Sequence, residues 1–293
     1  MKINKIKNKL RSFYKTKKNL FLNLFFKIFY TLYSFFIKIT RTASKHKIII
    51  KRIGGINYEL HLNQAIDSII YYAGCFEIDT SNAIARFLKP GMVALDIGAN
   101  IGSHTLPMAK IVGTKGKIIA FEPMKWALKK LKRNITLNNF NNIIIENIAL
   151  SDKTEFKEVW FRSSWTVDNT IINDANIPHE VQMETLDKYI NTHHLKKVDF
   201  IKIDVDGYEF KVLRGAIETL KKFKPTMVVE IGDYTLKEVG DNLEDLIEFL
   251  FSLGYKIYDV NHYKIYKNVE SIIQSIGDLS TKTINVVVHH PRK

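Results

Sequence analysis

Residues 95–102 read Leu-Asp-Ile-Gly-Ala-Asn-Ile-Gly, "LDIGANIG", and the order of apolar, acidic and glycine residues there sets the fold class. The run "MVALDI" (92–97) is short, apolar and closed by an acid, the pattern of a buried strand. Gly98 and Gly102 then turn the chain into a helical pattern that begins near Gly102. A glycine turn between a strand and a helix presents backbone N–H groups to a nucleotide-like ligand.

The residue types narrow that ligand. A dinucleotide turn reads G-x-G-x-x-G, and a phosphate loop ends in Gly-Lys-Ser/Thr. Neither is present: the pattern is D-x-G-x-x-x-G over Asp96, Gly98 and Gly102. A carboxylate at Asp96 repels phosphate and suits a cation such as an amino-acid ammonium. Glu122 closes the next apolar run, "KIIAFE", 20 residues beyond Gly102, where it can accept hydrogen bonds from ribose hydroxyls. Adenosine with a charged amino-acid tail and no phosphate describes S-adenosylmethionine.

Outward from this turn, apolar runs alternate with helical patterns. "KIIAFEP" precedes a helix near 125–138, followed by the run "NIIIENIAL". "VDFIKID" precedes a helix over 207–223, and "TMVVEIG" one over 243–253. The chain closes with "YKIYDV" and "TINVVVHH". Such alternation predicts right-handed crossovers and a mostly parallel α/β sheet covered on both faces. The last two runs leave no room for a clear helix between them, so an antiparallel pair is expected there. Upstream, a strand near 56–62 and helices near 64–72 and 80–88 form a lead-in.

The charge is unevenly placed. The net charge is +14, yet residues 1–52 hold 15 Lys or Arg and no acid, so residues 53–293 carry 29 basic and 30 acidic side chains, or −1. A duplex-binding enzyme needs its positive charge on the folded body, which counts against a nucleic-acid methyltransferase. Within the arm, residues 20–39 are strongly apolar, but Asn23, Lys27, Thr31, Ser34 and Lys38 recur every three or four residues. That spacing lays one polar stripe along a helix. A spanning helix does not need a stripe with a lysine at mid-depth, whereas a helix lying in the interface does. We therefore expect residues 1–52 to be a basic amphipathic arm at an anionic membrane surface, with contact through residues 1–45. The expected location is the cytoplasm, peripheral at the inner face of the membrane. Residues 53–90 form the lead-in and 91–293 the catalytic domain. The single cysteine, Cys75, excludes an intrachain disulfide and reads as an apolar filler.

Several spaced motifs carry a family resemblance. "KPGMVALDIGANIGSHTL" (89–106), "GKIIAFEP" (116–123), "LKRNITLNN" (131–139), "NIALSD" (147–152), "METLDKYI" (183–190), "VDFIKIDVDGYEFKVLRGA" (198–216) and "KPTMVVEIG" (224–232) occur in order. Over residues 77–231 the chain resembles the FkbM-type family of S-adenosylmethionine-dependent methyltransferases. The resemblance implies a Rossmann-like class I methyltransferase fold, with a seven-stranded sheet whose last strand is antiparallel. It also implies methylation of hydroxyls, including those of sugars. By the same resemblance Asp96, Gly98, Ala99, Asn100 and Gly102 line the methionine end of the cofactor and Glu122 its ribose. Ser151 and Asp152, at the end of the third strand, meet adenine, although Asp152 equally suits a turn cap.

Transfer to a sugar hydroxyl needs a base. Asp204 closes a strand at the cleft, where partial burial is expected to raise its pKa. Glu230, ending "TMVVE", is a second candidate that equally suits a lysine salt bridge. His104, in the turn after the glycines, is a third, although a histidine at a helix start is commonly exposed. Asp206 and Glu209 have the spacing of a reciprocal helix cap, which we read in preference to a metal pair, so no metal site is expected. His193–His194 and His289–His290 read as surface pairs. Residues 154–182, with Trp160, Arg162 and Trp165, read as an acceptor-binding insert or a packed hairpin. A sugar or glycan acceptor, possible in lipid-linked form, is the expected partner. A non-catalytic membrane-bound scaffold retaining the fold is the remaining alternative, against which the intact Asp96, Glu122 and Asp204 argue.

Overall fold

The strand that carries Asp96, β3 (Val93–Ile97), lies inside a sheet and has neighbours on both sides. The structure is a computed structural model and describes residues 48–159 and 178–291. The amphipathic arm up to residue 47, and Trp160, Arg162 and Trp165, lie outside the described residues. The lead-in consists of β1 (Ile48–Ile53), β2 (Ile56–His61), α1 (Ala65–Ala73) and α2 (Ile78–Phe87). After β3 come α3 (Thr105–Val112), β4 (Lys117–Phe121), α4 (Lys125–Thr136) and β5 (Ile143–Glu146). Three short strands follow, β6 (Ala149–Leu150), β7 (Glu155–Val159) and β8 (His179–Glu184), then α5 (Leu186–Thr192). The second half runs β9 (Phe200–Ile203), α6 (Glu209–Arg214), α7 (Ile217–Phe223), β10 (Thr226–Ile231), α8 (Asp233–Glu238) and α9 (Leu243–Ser252). It ends with β11 (Lys256–Asp259), β12 (Ile265–Tyr266), α10 (Val269–Ile276) and β13 (Ile284–His289).

Eight of these strands form one sheet in the order β12-β11-β13-β10-β9-β3-β4-β5. From β10 to β5 the neighbours are parallel, and β13 runs antiparallel to both β10 and β11. Without β12, which adds an antiparallel edge to β11, this is the expected seven-stranded arrangement with its reversed strand. Period-two alternation splits the strand residues between two cores. Leu95, Ile119, Ile201 and Val229 face the helices that follow β8, including Leu186, Val212, Leu220 and Leu246. Ala94, Ile118, Phe200 and Val228 face α2 and α3 through Ile84, Leu88, Met108 and Val112. Burial on both faces explains why these strands read as unbroken apolar runs.

Four expectations are corrected. First, α10 does stand between the last two long strands. It is an eight-residue helix opened by a capping box at Asn268 and Ser271, and the antiparallel pairing of β11 with β13 survives it. Second, the helix expected over 207–223 is two helices. Gly215 lies against the backbone of Ser151, where an added Cβ would be 2.0 Å from its carbonyl oxygen, so the chain steps aside there. Third, "NIIIENIAL" is not one strand. β5 stops at Glu146, and β6 joins β8 and β7 in a separate three-stranded sheet, which takes Ser151 and Asp152 away from the end of the third strand. Fourth, the boundary at residue 52 falls inside β1, which pairs with β2 along its whole length across Gly54 and Gly55. Residues 48–52 thus belong with the folded body. The hairpin sits on α4, where Asn134 and Asn138 accept from the backbone N–H groups of Glu59 and Asn57.

Candidate functional site

β3, β4, β9 and β10 are parallel, so their carboxyl ends open on one edge of the sheet. Two loops meet there. Gly98 (φ 81°) lies so close to the end of β9 that a Cβ on it would be 1.9 Å from the Asp204 carbonyl oxygen. On the other side the N–H groups of Gly98 and Ala99 both donate to the Phe121 carbonyl, at 3.1 and 3.0 Å. Only a residue with no side chain and free access to positive φ fits between those two strand ends. Gly102 also has positive φ, 92°, as the chain enters α3.

Asp96 and Glu122 stand on this same edge. Glu122 is buried, and its two oxygens accept from the N–H groups of Asn100 (2.7 Å) and Met124 (2.8 Å). Burial lifts its pKa to about 7 against the smaller pull of those two N–H groups. Asn100 is held at φ 48° and leaves its side-chain carbonyl oxygen buried with no hydrogen-bond partner. Asp96 is fully buried and accepts from the Thr105 hydroxyl at 2.5 Å.

The cation expected beside Asp96 comes from the chain itself. Lys202, in the middle of β9 and 2% exposed, places its ammonium 3.6 Å from Asp96 Oδ1 and 3.0 Å from Asp204 Oδ2. It also donates to the Gly98 carbonyl at 3.1 Å. Burial alone would lower its pKa, but the two carboxylates outweigh that and hold it above the usual lysine value. The signal for Lys202 was present in "FIKI": a lysine inside a doubly buried strand has to be paired.

Beyond Lys202 the edge carries Asp204 and Glu230. Burial opposes ionisation of Asp204, yet the Lys202 charge and hydrogen bond win, so its pKa lies below the usual carboxylate value. This corrects the expected upward shift. Glu230 takes that shift instead: burial, then the Asp204 charge, raise its pKa well above the usual value. The Thr283 hydroxyl donates to it at 2.6 Å. Of this pair, Asp204 is therefore the acid more readily ionised and Glu230 the one whose ionisation burial and the Asp204 charge oppose. His104 is only 2% exposed, contrary to the common exposure of such histidines, and packs against Phe76. Its Nε2 is 3.5 Å from Oε2 of Glu77, an acid the sequence did not mark.

Other expected residues fall elsewhere. Ser151 is buried and donates its N–H to the Glu184 carbonyl. Asp152 Oδ2 is held by Arg214 at 2.9 and 3.1 Å. Glu209 accepts from the N–H groups of Val205 (2.9 Å) and Gly207 (3.3 Å), which flank Asp206. The α6 N-cap is Tyr208, not Asp206. His193 and His194 are exposed, whereas His289 faces Thr226 at 2.9 Å and is partly covered.

Residues 96–257 match the model of the methyltransferase FkbM domain, more than half of the chain. The chain belongs to the FkbM methyltransferase family. Its methyl donor is S-adenosylmethionine. The chain is 27% identical over 177 residues to Methyltransferase 1 of Beauveria bassiana, covering 53% of this chain and 70% of that one. It is 26% identical to the 2-O-methyltransferase NoeI of Sinorhizobium fredii, covering 55% and 72%. It is 27% identical to the hexuronic acid methyltransferase AglP of Haloferax volcanii, covering 47% of this chain and 55% of that protein's length. The FkbM match takes in Asp96, Glu122, Lys202, Asp204 and Glu230, while Glu77 lies before it.

Proposed function

We propose that this FkbM-family chain is an O-methyltransferase that methylates a sugar hydroxyl in a glycan or polysaccharide precursor. The observation that carries the reading is the group of titratable side chains at the carboxyl edge of β9 and β10. Asp204, whose ionisation Lys202 favours, Glu230, whose ionisation burial opposes, and a buried imidazole at His104 follow the carboxyl ends of these strands and the glycine loop. Removal of a hydroxyl proton needs such groups. The printed activities of NoeI and AglP, at a 2-O position and on a hexuronic acid, support the acceptor class.

The donor side fits the cofactor. The orphan carbonyl of Asn100 lacks a donor partner, and Glu122 retains lone pairs beyond its two backbone partners. Asn100, Glu122 and the Gly98–Gly102 backbone would hold it, with Asp96 acting through Lys202 and Thr105. When bound, it supplies a methyl group already activated on a sulfonium sulfur. The protein then has to align the acceptor and take its proton. Asp204 is stabilised as an anion by Lys202, which makes it a weak base, and burial opposes ionisation of Glu230. We therefore assign the proton-accepting role to His104, with Asp204 and Glu230 as the acids beside it. Residues 154–182 supply the acceptor-binding insert.

The basic arm places the enzyme on an anionic membrane surface, in the cytoplasm and at the inner face, where lipid-linked acceptors are found. The test is methyl incorporation from labelled donor across hexuronic acids, neutral sugars and lipid-linked glycans, with RNA as a control. Incorporation into a sugar, and its loss in His104→Gln and Asp204→Asn at unchanged donor affinity, is expected. Incorporation into RNA alone would replace this reading with the nucleic-acid one.

A further inference from the structure

Glu77 adopts φ 45° and ψ 78° at the head of α2, the left-handed region that strains a non-glycine residue. That conformation brings its carboxylate to a meeting of three elements. Oε2 lies 3.5 Å from His104 Nε2, in the turn before α3, and accepts from Asn285 Nδ2, on β13, at 3.3 Å. The imidazole is 2% exposed, and Nε2 is buried without a hydrogen bond. The Glu77 charge also reaches Lys202 and Glu230. Phe76 and Ser103, the chain neighbours of the two residues, line a cavity of about 430 Å³ together with Tyr58, Cys75 and Lys110. Neither Glu77 nor His104 lines that cavity, whose walls come from the lead-in and α3.

We propose that Glu77 is a positioning residue for methyl transfer: its carboxylate keeps the His104 proton on Nε2 and leaves the Nδ1 lone pair to take the acceptor proton. Which ring nitrogen of a histidine carries hydrogen is set by the partner of the other. A contact of 3.5 Å is loose for a neutral ring and tightens once the ring becomes charged. The balance is simple. The acceptor O–H pair becomes the new O–C bond, the C–S pair returns to sulfur as a neutral thioether, and the proton ends on Nδ1. The imidazolium charge is then matched by Glu77 on its far nitrogen. The role rests on the base assignment to His104 made above, and it is supplied by the lead-in, outside the family match.

The experiment pairs turnover with the ¹⁵N spectrum of the His104 ring in the full chain, for wild type, Glu77→Gln and Glu77→Gly. Wild type is expected to show one tautomer, with hydrogen on Nε2, and both variants a mixture. Turnover should fall roughly 100-fold with donor affinity unchanged. Glu77→Gly removes the backbone strain along with the carboxylate. A thermal midpoint at or above wild type with the same loss of kcat therefore supports positioning, and a recovery of kcat by glycine overturns it. An unchanged tautomer ratio in Glu77→Gln also overturns it. Full activity of His104→Gln defeats the base assignment, which is a separate failure because the ring spectrum needs no turnover.

Discussion

Lys202 is the residue on which most of the site's charge balance turns. Its ammonium serves two acids, one of them, Asp96, completely buried. Lys202→Met keeps the volume but leaves both carboxylates without their cation. Removing one partner of a buried charge group costs about 3–5 kcal/mol, so a loss of that order in urea-determined stability is expected. The Asp204 pKa should rise at the same time, because the interaction that holds it down is gone; a carbon-detected carboxyl titration reads it. A second residue-scale prediction concerns Gly98. Gly98→Ala forces a Cβ against the Asp204 carbonyl, so the loop has to withdraw from β9. Donor binding measured by calorimetry should be lost even where the variant still folds.

At the scale of elements, the lead-in is fastened to the catalytic sheet by an ion pair and not by apolar contact alone. Asp67 on α1 and Lys130 on α4 are 1% and 7% exposed and paired, and Lys130 also donates to Gln64 at 2.9 Å. Burial raises the Asp67 pKa and lowers that of Lys130, each against the pull of its partner. Such a pair is expensive to break and cheap to replace. Lys130→Met should cost about 3 kcal/mol. Adding Asp67→Asn should recover part of that, because the amide oxygen can still accept from the His61 N–H, now held at 2.9 Å. Chemical denaturation of both variants checks the sign of the recovery. Because Glu77 follows α1, loosening this joint should also lower kcat.

For the whole molecule, buried acids weaken the fold on the alkaline side: Glu230 and Asp67, described above, and two more. Glu122 and Glu209 are both lifted by burial to about 7. A carboxyl whose folded pKa exceeds its unfolded one binds protons more tightly when folded. Its contribution is fully present below about pH 4.5 and is lost as pH rises through about 7. Each such group should cost roughly 2–3 kcal/mol between pH 5 and 8. Glu209→Gln should flatten that fall, since both loop N–H bonds go to a single oxygen, Oε1, which the amide can reproduce. Thermal midpoints across this range test it. Depressed acids such as Asp241, half-buried but held down by Arg214 and Lys211, act oppositely and weaken the fold as pH falls through their pKa. The arm is a whole-molecule matter too. Among the described residues no helix is long and apolar enough to cross a membrane. A variant lacking residues 1–45 should stop sedimenting with anionic vesicles, and equal sedimentation would remove the membrane reading.

Period and punctuation made much of this protein legible. Unbroken apolar runs closed by Asp96, Glu122, Asp204 and Glu230 are dictated by burial on both faces of a parallel sheet, so the alternation of strands and helices followed from local chemistry, while the seven-stranded arrangement came from the family resemblance. Gly98 and Gly102 were readable because positive φ and close backbone approach leave glycine little competition. What the linear pattern did not contain was the charge state of each acid. That depends on what the fold brings within a few ångströms: Lys202 lowers Asp204, burial and then Asp204 raise Glu230, and Arg214 pairs with Asp152. Glu77 and His104, twenty-seven residues apart in the sequence, meet only because α2 and the glycine turn pack together. Hydrophobic periodicity is a property of a chain segment, whereas electrostatic partnership is a property of distance in space, and only the folded molecule sets that distance.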